Sequence, residues 1–378
     1  MKIALDLRRI KNPGVGRYMR CVTEALLEVA PEHEYLLILP PDYADNIQTS
    51  KPGVKMEKII AAAGYYSLRE QIELPRILRQ HNVGLLHSPH FNIPLLCPCP
   101  VVATIHDVIY LACAEDLPSL AGRLYYRGMM AAAVRRADRI IAVSQYSHDE
   151  IRKYLHTQRE IEVIHSGVDG RFQPVTDREQ IEKVKAAYEI AGEYLLYTGI
   201  FKPRKNHRGL LQAFRRFLDL GGGAVLVIAG PLKEGELELR TLAEELKMSH
   251  KVVFTGFVDD ADLPALYSGA SVYACPSLYE GFGLTVLEAM ACGTAVVCSS
   301  ATSLPEVAGA AALYADGRDA VAFGDALYQA FTDLNLRAGL VEKGFMNVRR
   351  FDWRNTAEQT LAVYERAMGA PAGNVVCA

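Results

Sequence analysis

Along the chain, short runs of β-branched and other apolar residues alternate with longer stretches in which apolar positions recur at helical spacing. In the first half this pattern predicts strands at Lys2–Leu7, Tyr35–Leu39, Val83–His87, Val101–Ile105, Arg139–Val143 and Glu162–His165. Helices are predicted between them at Val15–Val29, Ser67–Gln80, Ser119–Ala137 and Gln145–Tyr154. From His165 to Pro174 the pattern breaks into a polar, glycine-bearing segment that ends in proline, which reads as a linker. The alternation then restarts, with strands at Tyr194–Thr198, Ala224–Ala229, Val252–Thr255, Ser271–Cys275, Ala295–Cys298 and Ala312–Tyr314. The matching helices are Asn206–Leu220, Glu236–Lys247, Asp260–Tyr267, Leu284–Ala291 and Asp319–Phe331. Strand–helix alternation implies parallel sheets covered on both faces. The chain therefore reads as α/β, with two doubly wound domains at about 1–168 and 175–351. Ligands are expected at the carboxyl ends of the strands, facing a cleft between the domains.

Composition removes several classes. The 378 residues are 50% hydrophobic and 22% charged, which excludes disordered, collagenous and coiled-coil chains. No uncharged apolar run is long enough to predict a membrane span. The start, MKIALDLRRI, becomes charged too early for a signal peptide. A net charge of -3 leaves no whole-chain footprint for nucleic acid, and none is expected as a partner. The eight cysteines are scattered, and Cys97–Pro98–Cys99 is too tight for an ordinary chelate. This usage fits a reducing cytoplasm, with Cys275 and Cys298 as small buried hydrophobes. The tail at 369–373 is expected to be loosely held.

Four segments carry chemistry. The strongest runs from Tyr279 to Met290, after an apolar strand and into a helix. Its glycines let backbone approach a ligand, and the amides of Gly283, Leu284 and Thr285 at a helix start suit a diphosphate. Glu288, one turn in, can accept two hydrogen bonds from a vicinal diol such as ribose. Glu280 lies in the loop, beside any group attached to that phosphate; the plain alternative makes both glutamates helix-start and surface charges. The second segment, Thr198 to Asn206, places Lys202, Arg204 and Lys205 at a strand end, with Asn206 as an N-cap. Arg204 and Lys205 could bracket a leaving diphosphate, or form a solvated basic turn. The third, Gly14–Val15–Gly16–Arg17–Tyr18, begins like a dinucleotide fingerprint, but Met19 stands where the third glycine belongs. The fourth is Thr104–Ile105–His106–Asp107, with His106 at a strand end. The neighbouring segment with His87, His90 and Asn92 ends its strand in the same way. Ser144 reads as a helix cap, and no catalytic metal is expected.

Together these pieces resemble the retaining glycosyltransferases of family 4, which have the GT-B fold. The most specific part is EGFGLTVLEAMACGTAVV; GVGRY, TIHD, VIHSGVD, PRKN, TGFV and the late FDW support it. TIHD and PRKN look most like mannosyltransferases of surface-polysaccharide assembly. The resemblance implies a nucleotide-diphosphate sugar donor used without metal or other cofactor, GDP-mannose being the best guess. It implies a saccharide or lipid-linked acceptor, with lipopolysaccharide synthesis as the setting. It also implies that a final helix, about 352–370, crosses back to the first, acceptor-side domain. Glu280 would meet donor-sugar hydroxyls, helped by Gly281, Phe282 and Gly283. Leu284 and Thr285 would cradle the diphosphate, Glu288 the ribose, and Lys205 the leaving charge. His106 would lie beside the transferring sugar, Gly16 would approach the phosphates, and Phe257 and Val258 would frame the base. His87, His90, Asn92 and Asp107 are acceptor-side candidates. One departure is that Ile200, where many family members have Arg, follows Gly199. Either Arg204 replaces that charge or Lys205 acts alone.

Other readings are a nucleotide-sugar epimerase of the same architecture, a nicotinamide-dependent oxidoreductase, and a non-catalytic nucleotide-sugar sensor. The segment Leu117–Arg136 interleaves Arg123, Arg127, Arg135 and Arg136 with apolar side chains. It predicts peripheral contact with the inner face of an anionic membrane. The competing expectation packs Leu120 and Leu124 on the sheet and leaves the arginines in water.

Overall fold

The structure, a computed structural model, describes residues 1–43, 47, 53–113, 116–117, 119–231 and 235–369. The tail expected to be loose falls almost wholly outside the described residues. The chain divides into two compact units, Met1–Gly167 with Phe351–Ala378, and Val168–Arg350.

In the first unit the strands are β1 (Lys2–Asp6), β2 (Glu34–Leu39), β3 (Lys55–Ile60), β4 (Leu85–Ser88), β5 (Val101–Ile105), β6 (Arg139–Ala142) and β7 (Ile161–Val163). The helices before the linker are α1 (Val15–Val29), α2 (Glu70–Gln80), α3 (Ile109–Ala112), α4 (Leu120–Arg136) and α5 (Gln145–Leu155). The strands form one sheet ordered β3-β2-β1-β4-β5-β6-β7, and its strand pairs are parallel. The order reverses between β1 and β4, so the loops after these two strands open a crevice at the sheet's carboxyl edge. Strand β3 was not predicted. Its sequence KMEKII alternates polar residues because it lies at the sheet's edge and only partly buries its side chains.

The second unit holds α6 (Arg178–Ala187), β8 (Tyr194–Thr198), α7 (His207–Asp219), β9 (Val225–Ala229), α8 (Gly235–Glu245), β10 (Val252–Gly256) and α9 (Leu263–Ser268). It continues with β11 (Val272–Cys275), α10 (Leu284–Ala291), β12 (Ala295–Ser299), α11 (Leu304–Ala308), β13 (Ala312–Ala315), α12 (Ala320–Thr332) and α13 (Leu334–Val348). Its sheet is ordered β10-β9-β8-β11-β12-β13, again parallel, with the reversal between β8 and β11. Both sheets are fully buried at their centres, as strands covered on two faces are.

The last helix, α14 (Trp353–Gly369), belongs to the first unit. Gly167 shows why the junction has that sequence. A Cβ there would lie 2.4 Å from the Trp353 amide nitrogen, so only glycine lets the two segments meet. Thr356 then donates to the His165 carbonyl at 2.7 Å, and Tyr364 reaches His87 Nδ1 at 2.6 Å in the core. The architecture is α/β with two Rossmann-like domains.

Candidate active site

In the second unit, two loops leave the sheet where its order reverses. The loop after β8 carries Lys202–Lys205, and the loop after β11 carries Pro276–Gly283. They are stitched together before any side chain acts. Leu278 donates its amide to the Arg204 carbonyl at 2.7 Å. Asn206 caps α7 by accepting from the Gly209 amide, while its own NH2 donates to the carbonyls of Pro276 and Gly317. Across this seam Lys205 Nζ meets Glu280 Oε1 at 2.6 Å, with both side chains largely buried.

Burial, the largest single influence, pushes the Glu280 carboxyl up, and the Lys205 charge opposes it. Hydrogen bonds from Lys205 and Ser277 and the more distant Arg204 add to that, and the group ends below the usual carboxylate range. The loop holding Glu280 is braced from β12's side. Glu280 donates its amide to Thr302 Oγ1, and Ser303 Oγ donates to the carbonyls of Glu280 and Phe282 at 2.9 and 2.8 Å. Sequence reasoning missed Ser277, Thr302 and Ser303. The polar run Ser299–Ser303 after an apolar strand was the available signal.

Gly283 caps α10 with φ of +112°, a conformation that leaves the helix start open to Leu284 and Thr285. Both of these are half-buried, and Phe282 is buried. Glu288 is buried on the inner side of α10. Its Oε2 accepts from the Tyr267 hydroxyl at 3.0 Å, and that hydroxyl lies 2.8 Å from Thr198 Oγ1 at the end of β8. The carboxylate thus points at the strand ends and away from bulk solvent.

Three strand-end glycines stand in a row beside it. The Gly199 amide donates to the Ala229 carbonyl, and the Gly230 amide to the Gly256 carbonyl. Gly230 has φ of +129°, and a Cβ there would lie 2.2 Å from the Gly199 carbonyl oxygen. This flat row was also missed. It ends at Phe257, which is 70% exposed, and Val258, which is buried.

In the first unit His106 follows β5. Its Nε2 lies 3.1 Å from the Pro89 carbonyl, so Nε2 carries the hydrogen and Nδ1 the lone pair. Burial lowers its pKa, only partly opposed by that hydrogen bond and by Asp107. Asp107 accepts the Ile109 amide at 3.1 Å, just ahead of α3. His90 lies 3.0 Å from Arg9 Nη1 and is kept neutral by burial first and then by Arg9.

Three expected site residues take other roles. His87 is fully buried, with Thr104 on Nε2 and Tyr364 on Nδ1, and has no nitrogen left for an acceptor. Asn92 is buried and donates its NH2 to Glu70, part of an ion network in which Arg8 also bonds Asp6 and Glu70. Gly16 lies inside α1, where a Cβ would be 2.0 Å from the Ile10 carbonyl, so close backbone packing requires the glycine without any ligand. Elsewhere Ser144 caps α5 as predicted, and Cys275 and Cys298 are buried free thiols. Cys377 lies outside the described residues.

Comparison with known proteins gives this geometry a lineage. Residues 14–171 match the model for Glycosyltransferase Family 4, and residues 177–345 match that for Glycosyl transferases group 1. O-antigen chain mannosyltransferase B of Escherichia coli is 32% identical over 97% of this chain and all of its own. The serotype-specific mannosyltransferase WbdA of the same organism is 27% identical over 97% of this chain, which spans about half, 48%, of that protein. Among solved structures, Anabaena HepE in complex with UDP and glucose superposes with a TM-score of 0.75 at 19% identity, covering 97% of this chain and 99% of that one. Its likeness supports the GT-B fold. The chain is a glycosyltransferase and belongs to Glycosyltransferase Family 4.

Proposed function

We propose that this enzyme transfers mannose, with retention of configuration and without a metal, from GDP-mannose to a saccharide or lipid-linked saccharide in surface-glycan synthesis. The observation that carries the reading is the Lys205–Glu280 pair beside the open start of α10, in a chain matched end to end by an O-antigen chain mannosyltransferase. The amides of Leu284 and Thr285, with the helix dipole behind them, bind the donor diphosphate. Glu288 accepts the ribose hydroxyls, and the row of strand ends leading to Phe257 and Val258 receives the base. Glu280 meets sugar hydroxyls with Gly281, Phe282 and Gly283, and Lys205 turns from Glu280 toward the leaving oxygen as its charge grows.

The transition state is oxocarbenium-like. No carboxylate is assigned as a nucleophile beneath the ring. A front-face displacement follows, in which the leaving phosphate takes the acceptor proton; His106, neutral with its lone pair on Nδ1, is the first unit's candidate for the transferring sugar. Asp107 stays an acceptor-side candidate, and Arg204 supports the clamp. Thermal-shift titration with GDP, UDP, ADP and their sugars, followed by turnover with the stabilising donor, tests this reading. Trapping a covalent glycosyl–Glu280 or glycosyl–Asp107 adduct would sink the front-face route.

The acceptor side is read as membrane-proximal, at the cytoplasmic face. Leu120 and Leu124 on α4 are 71% and 65% exposed and do not pack on the sheet. Leu68 and Ile72, at and before α2, are also exposed, as are Arg69, Arg76 and Arg127. Tyr66, ahead of α2, and Tyr125 on α4 meet edge-on, with ring centroids 5.6 Å apart. Apolar and cationic side chains mixed on one surface suit an anionic bilayer. Among the described residues no helix is long and apolar enough to cross a membrane.

A further inference from the structure

Next to the neutralised Arg8 stands a second guanidinium with different surroundings. Arg8 is buried between Asp6 and Glu70 and its charge is spent. Arg9 meets no carboxylate among the described residues. Its Nη1 donates to the Tyr66 hydroxyl and lies 3.0 Å from His90 Nε2, and its Cζ lies 5.1 Å and 5.4 Å from the ring centres of Tyr65 and Tyr66.

The rings around it form a continuous aromatic floor. Tyr66 stacks on Phe91 at 6.1 Å and meets Tyr125 edge-on, while Phe91 rests on His90 at 4.2 Å and on Tyr126 at 4.9 Å. Tyr66 and Tyr125 remain 43% and 39% exposed. Tyr66 also has φ of +62°, a conformation a bulky side chain adopts only under constraint and one that clusters at functional sites.

Position adds to composition. Arg9 follows β1 and His90 follows β4, the two strands at which this sheet's order reverses. The same β4 loop supplies the Pro89 carbonyl that holds His106. A pyranose has an apolar face of C–H bonds and a rim of vicinal hydroxyls. Exposed tyrosine faces fit the first, and a planar guanidinium fork fits the second.

We propose that Arg9, Tyr66 and Tyr125 form the subsite that holds a hexopyranose residue of the acceptor glycan. The assignment rests on the glycosyltransferase reading, because it needs a sugar beside His106. Arg9 fixes the hydroxyls, Tyr66 carries the ring face, and Tyr125 closes the far edge. Acceptor choice is then set in the first unit by these three side chains.

The test uses the full chain labelled with 3-fluorotyrosine, with the Tyr66 and Tyr125 signals assigned by Tyr66→Phe and Tyr125→Phe. Methyl α-mannoside, methyl α-glucoside, methyl β-galactoside and methyl β-N-acetylglucosaminide are titrated separately, and inorganic pyrophosphate serves as the anion control. At least one glycoside should shift both signals while Tyr194 and Tyr273 of the second unit stay in place. Arg9→Gln should raise that glycoside's Kd roughly tenfold or more, and Arg9→Lys, which keeps the charge but loses the fork, should also weaken it. The proposal is overturned if no glycoside moves either signal, if pyrophosphate alone moves them, or if both Arg9 variants bind the glycoside as the wild type does. Nucleotide-sugar consumption by the same wild-type protein separates the two readings. Turnover without glycoside shifts defeats the subsite alone, whereas shifts without turnover of any nucleotide sugar defeat the transfer reading.

Discussion

Lys205 Nζ lies 2.6 Å from Glu280 Oε1, joining the loops that follow β8 and β11 where the second sheet reverses its order. Each group acts on the other. The ammonium keeps a buried carboxylate ionised, and the carboxylate holds the ammonium at the start of α10 before any donor arrives.

Lys205→Ala should lower kcat by about 10²–10³, the scale of removing one preorganised charge stabiliser, with a smaller change in donor KM. Retained activity would move the clamp to Arg204. The same substitution has a pH signature. In the wild type the lowered Glu280 pKa contributes stability above the unfolded carboxylate pKa, and this is lost as pH falls through the folded value. Without Lys205 burial is opposed only by Ser277 and Arg204, so the folded pKa rises. The stability gap between wild type and variant should therefore narrow on going from about pH 7 to about pH 4, as urea titrations at the two values will show.

Glu288→Gln should weaken donor binding by roughly 1.5–3 kcal/mol while kcat changes less, since ribose contacts are made both before and during transfer. Tyr267→Phe removes the hydroxyl that fixes Glu288 Oε2 and should shift donor KM in the same direction by a smaller factor. Calorimetric titration with the nucleotide alone checks both. A normal donor KM with collapsed kcat in Glu288→Gln would contradict the ribose role.

Gly230→Ala tests the row of strand ends. Its φ of +129° and the 2.2 Å approach to the Gly199 carbonyl involve backbone on both sides, so no flexible side chain can yield. The expected destabilisation is about 1–3 kcal/mol from the backbone conformation alone. The urea midpoint reads it.

His87 makes folding acid-sensitive. Burial, with some help from His106, pushes its pKa down to about 3 from an ordinary 6.5. The unfolded chain binds a proton that the folded one refuses, so stability falls as pH drops from 6.5 toward about 3. Between about pH 6.5 and 5 the loss should be on the order of 1–2 kcal/mol. His87→Gln should flatten that slope, whatever its effect at neutral pH.

Liposome sedimentation at low salt should pull the protein down with anionic vesicles more than with neutral ones. Each exposed arginine near the surface contributes about 1 kcal/mol. Arg123 is a poor choice for the test, because it is half-buried and donates to the Leu117 carbonyl at 2.6 Å. Replacing Leu120 and Leu124 with Ser, or Arg76 and Arg127 with Gln, should release the protein. Equal sedimentation with both vesicle types would remove the membrane reading.

The fold was legible wherever a strand is buried on both faces or a helix shows a broad apolar stripe. It failed at the periphery. Helix α6 buries only Val184, and α13 only Leu340, Gly344 and Asn347, so neither carries a periodic signal. The donor-side loops were readable because glycines, basic residues and glutamates follow apolar strands directly. His87 was misread because its partner Tyr364 is 277 residues away, and a strand-end histidine looks the same from the sequence whether its ring faces a ligand or the core. Arg9 and Tyr66 went unnoticed for a related reason. They come from separate loops, and only the order of the sheet brings them together.

The most direct measurement is the anomeric configuration of the product. Incubation of the enzyme with GDP-mannose and a mannose-terminated, lipid-linked oligosaccharide should release GDP and form one new mannosidic bond. NMR of the isolated product should show that bond in the α configuration of the donor. A β linkage would contradict retention, and an enzyme that ignores GDP-mannose while consuming another nucleotide sugar would contradict the donor assignment.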